Sequence, residues 1–162
     1  MKKLLLVLAA AIMAYSGNAQ STYSKAIGLR LGYNYLDVVA FSYKGFVSPR
    51  GALEFNLGLA SRRDWFGLSA TGAYQHHFPI GNVPGFNWYI GGGLTLGQTF
   101  SDWDRYVGTF AGIFPTGGID YKFRNIPLNL SADIRPTFYF AKSNAGSVIY
   151  PANFGVAVRY TF

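Results

Sequence analysis

His76 and His77 are the two histidines of the chain, and they are adjacent. Such a pair suggests a metal site or a general base. Consecutive residues of a strand project to opposite faces, so two adjacent histidines on a strand cannot close on one ion. The pair is expected to be polar residues at the turn end of a strand. Cysteine is absent, which removes disulfides and thiolate metal sites. Gly91-Gly92-Gly93 has the glycine content of a phosphate loop, but lacks the lysine and the helix that such loops need. On a strand, glycines of this kind relieve crowding and permit curvature. Asp102-Trp103-Asp104, followed by Arg105, could hold a divalent cation between phosphate groups. Arg62, Arg63 and Arg105 could bind such phosphates through charge-assisted hydrogen bonds. No nucleophile, base and orienting group occur at plausible spacing, so no catalytic residue, cofactor or resident metal is expected.

The remaining charges follow a pattern. Arg30, Lys44, Glu54, Asp120, Lys122, Asp133, Arg135 and Arg159 all fall on the small-residue side of alternating segments. In AIGLRLGYNY, Ile27, Leu29, Leu31 and Tyr33 alternate with Gly28, Arg30, Gly32 and Asn34. In ALEFNLGLAS, Leu53, Phe55, Leu57 and Leu59 alternate with Ala52, Glu54, Asn56 and Gly58. In LNLSADIRPTFYF, Asn129, Ser131, Asp133 and Arg135 interleave with Leu128, Leu130, Ala132 and Ile134. Period two over such lengths means strands whose faces meet different surroundings. Turn signals cut the chain into eight such segments, near 26–34, 38–47, 52–61, 66–77, 87–98, 107–123, 128–139 and 153–162. Pro115 is expected to mark a bulge or a broken ladder in the sixth. Connections at 48–51, 81–85 and 124–127 are turn-like. They alternate with those near 35–37, 62–65, 99–105 and 141–152, as the two ends of an up-and-down meander must.

The chain of 162 residues is one domain in length. Residues 1–19 read as a secretory signal peptide: Lys2 and Lys3, an apolar run from Leu4 to Met13, then small residues ending at Ala19. A membrane anchor is the other reading, and the apolar run is short for it. The formal charge is +7, or +5 once Lys2 and Lys3 are removed, and it is not clustered. Nucleic-acid binding is therefore not expected. Two eight-stranded barrels fit the alternation over residues 20–162. A lipocalin-like barrel keeps its apolar face inside, whereas an outer-membrane barrel turns that face to lipid. Only 13% of residues are charged, and past residue 19 the one glutamate is Glu54. That is too little charge for a soluble exterior of eight strands. The small residues suit the crowded inside of a narrow barrel, and tyrosines and tryptophans near the strand ends suit membrane interfaces. The expected fold is all-β, an eight-stranded antiparallel up-and-down transmembrane β-barrel with a polar interior.

The closing stretch FGVAVRYTF resembles the C-terminal recognition signal of outer-membrane proteins. That resemblance implies reading by the barrel-assembly machinery through Phe154, Val156, Val158, Tyr160 and Phe162. AIGLRLGY, FVSPRGALEFNLGL, FNWYIGGGLTLG, GIDYKFRNIPLNLSADIRPTF and AVRYTF resemble the small, porin-like eight-stranded barrels in the style of outer membrane proteins A and X. The resemblance implies a Gram-negative outer-membrane location, with outer-membrane lipids and lipopolysaccharide as partners, the latter at Arg62, Arg63 and Arg105. A monomer is expected. Buried charges must pair, so Arg30, Glu54, Asp133 and Arg159 are expected to form a lumen network, with Asp133 level with Arg159 and with Asp120, Lys122 and Arg135 adjoining. The functional expectation is a structural or surface-interaction barrel with a plugged lumen. A narrow solute channel is the alternative, and a lipid-modifying enzyme is a weaker one.

Overall fold

The computed structural model describes residues 23–33, 38–62, 65–81, 83–101, 108–141, 148–151 and 153–162. Among them are ten strands and no helix. These are β1 (Lys25–Tyr33), β2 (Val39–Phe46), β3 (Gly51–Arg62), β4 (Trp65–Pro79), β5 (Phe86–Ser101), β6 (Gly108–Lys122), β7 (Leu128–Ile134), β8 (Thr137–Ala141), β9 (Val148–Tyr150) and β10 (Phe154–Thr161). All pairings are antiparallel. β7 and β8 form one interrupted stave, and β9 and β10 another, so the wall has eight staves. The first and last staves pair, and β5 pairs with β6, which closes the barrel.

The closure is staggered. Asp120 pairs with Ser131, Ser131 with Ala157, Ala157 with Arg30, Arg30 with Ala40 and Ala40 with Gly58. Gly58 pairs with Ser69, Ser69 with Gly97 and Gly97 with Phe110. The circuit that leaves β6 at Asp120 thus returns to it at Phe110, ten residues along the strand. That shear across eight staves tilts the strands by roughly 40° to the barrel axis and leaves room inside only for side chains.

The eight expected segments correspond to the eight staves. Pro115 does not break β6 against β5, where it pairs with Gly92. The gap lies on its other side. Gly117 pairs with Ile134 and Ile113 with Phe138, so Pro115 stands opposite Pro136. Neither proline has an N–H to donate, and the ladder opens between β7 and β8. The amide of Arg135 donates instead to the Asn153 carbonyl, at 2.8 Å. In the β4–β5 turn, Gly81 and Gly85 have φ of 54° and 86°. A Cβ on Gly85 would lie 2.3 Å from the Lys122 carbonyl oxygen.

The two faces of the wall differ. The largest fully buried side chains include Arg30, Arg135, Arg159, Tyr89, Lys44, Gln75 and Glu54. Large apolar side chains stand exposed on the other face: Leu57 is 62% exposed, Leu31 58% and Val156 55%. A water-soluble domain is arranged the other way round.

Candidate functional site

The site is the cluster of charges enclosed by the barrel. Period two places it: Arg30 on β1, Lys44 on β2, Glu54 on β3, Asp120 on β6, Asp133 on β7 and Arg159 on β10 share the inner face. Arg135, at the break after β7, completes it. All seven are buried.

Asp133 and Glu54 are its two anionic centres. Arg30 donates from Nη2 to Asp133 Oδ1 at 2.6 Å, and Arg135 donates from Nη2 to Asp133 Oδ2 at 3.0 Å. Arg135 Nη2 also donates to Glu54 Oε1 at 2.6 Å. Arg159 Nη2 lies 3.0 Å from Glu54 Oε2. That contact lacks hydrogen-bond alignment, since Arg159 Nη2 makes no hydrogen bond, so the attraction is one of charge. Asn56 and Gln75 donate to the two Glu54 oxygens at 2.9 and 2.8 Å. Arg159 donates further to Ser42 and Ser131, at 2.9 and 2.7 Å. A buried carboxylate needs several such donors to remain ionised.

The stave between Arg30 and Asp133 has to be slim, and it carries Ala157 and Gly155 there. A Cβ on Gly155 would lie 2.0 Å from Arg30 Nη2. This glycine therefore makes the room in which the guanidinium reaches across to β7. Nothing in the sequence distinguishes Gly155 from other barrel glycines; only the register does.

A second centre lies nearer the turn end. Lys44 Nζ donates to Asp120 Oδ2 at 2.7 Å and sits 4.8 Å from the Tyr89 ring centroid. Asn129 Nδ2 and the Tyr23 hydroxyl also donate to Asp120, at 2.9 and 3.3 Å. Tyr23 precedes the first strand. Burial, reinforced by the Asp120 charge, pushes its phenol well above its usual pKa. His77 is buried between the Phe46 and Tyr89 rings, each centroid 5.0 Å away. Toward the other end, Ala60, Phe110 and Tyr139 pack together with Tyr150 against them.

The geometry joins Arg30, Asp133, Arg135, Glu54 and Arg159 into one chain of contacts and leaves Asp120 in the second centre. Two expectations need correction. Asp133 is not level with Arg159: Asp133 stands opposite Gly155 and Arg159 opposite Asn129. The register of β7 on β10 alone sets them four residues apart along the ladder. Lys122 does not adjoin the cluster; its ammonium bonds the Phe123 and Ile126 carbonyls of the β6–β7 turn. Its place beside Asp120 is taken by Lys44, which period two had put on the same face. His77 points inward and is buried, whereas His76 lies on the outer face near Tyr74. The histidines do face opposite ways.

Phe154, Val156, Val158, Tyr160 and Phe162 all stand exposed on the outer face. Arg63 and Arg105 lie outside the described residues, as does Asp102-Trp103-Asp104. Arg62 is described by its backbone alone, as the last residue of β3. Among the described residues no group of three His, Cys, Asp or Glu could hold a metal ion. Comparison with protein-family models, curated proteins and solved structures returns no match for this chain.

Proposed function

We propose that this chain is an integral outer-membrane β-barrel of the bacterial envelope, with a structural or surface-interaction role and a lumen plugged by its own ion pairs. One observation carries the reading: the inversion of the two faces. A continuous outer band of exposed Leu, Ile, Val and Phe surrounds buried, paired charges. In water that band would be an aggregation surface; in a bilayer it is the lipid contact. Closure serves the same end, because hydrocarbon offers no partner to a free sheet edge. The lumen supports the plugged reading over the narrow channel: guanidiniums and carboxylates meet across it at 2.6–3.0 Å, and charges held in pairs are not free to line an aqueous path. Lipopolysaccharide at the loop end and recognition of the β10 strand during assembly belong to the same proposal.

The test is fractionation of expressing cells. The protein is expected in the outer-membrane fraction, and an unheated sample is expected to migrate differently on a denaturing gel from a boiled one. Recovery from the soluble periplasm would overturn the proposal.

A further inference from the structure

The outer face is not evenly covered. Ala132 on β7 is flanked in register by Ile119 on β6 and Val156 on β10. It is the smallest outward side chain of that row. Around it lies a groove of about 530 Å³, lined by Phe86, Ile119, Tyr121, Leu130, Ala132 and Val156. That volume falls within the range of about 300–1,000 Å³ typical of small-molecule clefts. The lining is almost wholly apolar, which suits a hydrocarbon chain and little else.

Tyr121 and Leu130 of the lining pair with each other close to the β6–β7 turn. Tyr121 in its wall packs edge-on against Phe123 at 4.8 Å, and Arg124 follows. Arg124 is exposed, and no carboxylate side chain pairs with it among the described residues. The whole turn end of the barrel shares this bias. Lys25, Arg50 and Arg124 are exposed there, whereas every described Asp and Glu side chain is buried inside the barrel. Among the described residues the rim thus presents basic side chains and no acidic side chain.

We infer that this groove and rim bind one anionic glycerophospholipid, with an acyl chain over Ala132 and the phosphate at Arg124. The inference rests on the membrane reading above. Charge complementarity selects the anionic headgroup, and the apolar lining selects the chain. One arginine at an anionic lipid surface is worth roughly 1 kcal/mol, or about fivefold in local preference. Lys122 contributes less, because its ammonium is already committed to turn carbonyls.

Trp88 reports on the site. It pairs with Ile119, a groove residue, and is exposed on the same outer face. In a Trp65→Phe, Trp103→Phe background it is the remaining tryptophan, since the chain has three. The protein is refolded into phosphatidylcholine vesicles containing chain-brominated phosphatidylglycerol or chain-brominated phosphatidylcholine, and quenching of Trp88 is measured. The anionic lipid is expected to be favoured about fivefold. Arg124→Gln is expected to abolish the preference, and Arg50→Gln, on the β2–β3 turn, to leave it intact. Ala132→Phe, which fills the groove, is expected to weaken quenching by both lipids. Equal quenching by the two lipids overturns the headgroup assignment, and unchanged quenching in Ala132→Phe overturns the groove. Absence of quenching by either lipid overturns the membrane reading itself, which separates the two failures.

Discussion

At the scale of single residues, Glu54 and Asp133 between them meet three guanidiniums, those of Arg30, Arg135 and Arg159. Removing one carboxylate leaves buried positive charge without compensation, at a cost of about 3–5 kcal/mol. Asp133→Ala is therefore expected to lower the unfolding free energy in detergent by about that amount, read by urea titration. Lys122→Ala, which removes only contacts to turn carbonyls, is expected to change it by less than about 1 kcal/mol. Equal losses for the two variants would contradict the assignment of Asp133 to the buried cluster and of Lys122 to the rim. If Asp133→Ala fails to fold, Asp133→Asn provides the comparison with its shape kept. The face on which these charges stand was legible in the sequence, because Arg30, Glu54 and Arg159 alternate with large apolar neighbours, but the membership was not complete: Lys122 belongs to the turn and Lys44 takes its place beside Asp120. Who pairs with whom was not legible. Partner choice depends on the shear of the closed barrel, a sum over eight registers that no single segment reveals. The same holds for Gly155, whose role exists only because Arg30 crosses that stave.

At the scale of elements, periodicity and turn residues located all eight staves; the errors lie at prolines and at β9, which occupies part of the expected 141–152 connection. Pro115 suggested a fault in β6, but the fault lies where two prolines from neighbouring staves coincide. Pro136 falls inside the expected segment 128–139, which the structure divides into β7 and β8. The last stave continues its pairing to the end: the Phe162 amide donates to the Lys25 carbonyl at 2.9 Å, and the Lys25 amide donates to the Phe162 carbonyl at 3.1 Å. Phe162 itself is exposed on the outer face. A charge there, near the membrane interface, costs about 0–1 kcal/mol in the finished barrel. Phe162→Asp is accordingly expected to refold in detergent with near-normal stability. In cells, much less of it is expected to reach the membrane, measured as the heat-modifiable fraction. Normal insertion in cells would contradict the reading of this strand as an assembly signal.

At the scale of the whole molecule, the proposal depends on the apolar outer face meeting lipid rather than water. The 13% charge and single glutamate past residue 19 pointed to the face, and the alternation of burial along β10 repeats the pattern residue by residue. The groove over Ala132 was invisible in the sequence, because it arises from the coincidence of Ala132 with larger neighbours on two other staves. The account is tested most directly by site-directed spin labelling along β3 in reconstituted vesicles. Single cysteines replacing Phe55, Leu57 and Leu59 carry the nitroxide outward, and those replacing Asn56 and Gly58 carry it inward. Collision rates with oxygen and with a water-soluble nickel chelate are then compared. The outward labels are predicted to meet oxygen freely and the nickel chelate scarcely at all, with both rates low at the inward labels. Outward labels that collide freely with the nickel chelate would place that face in water and contradict the account.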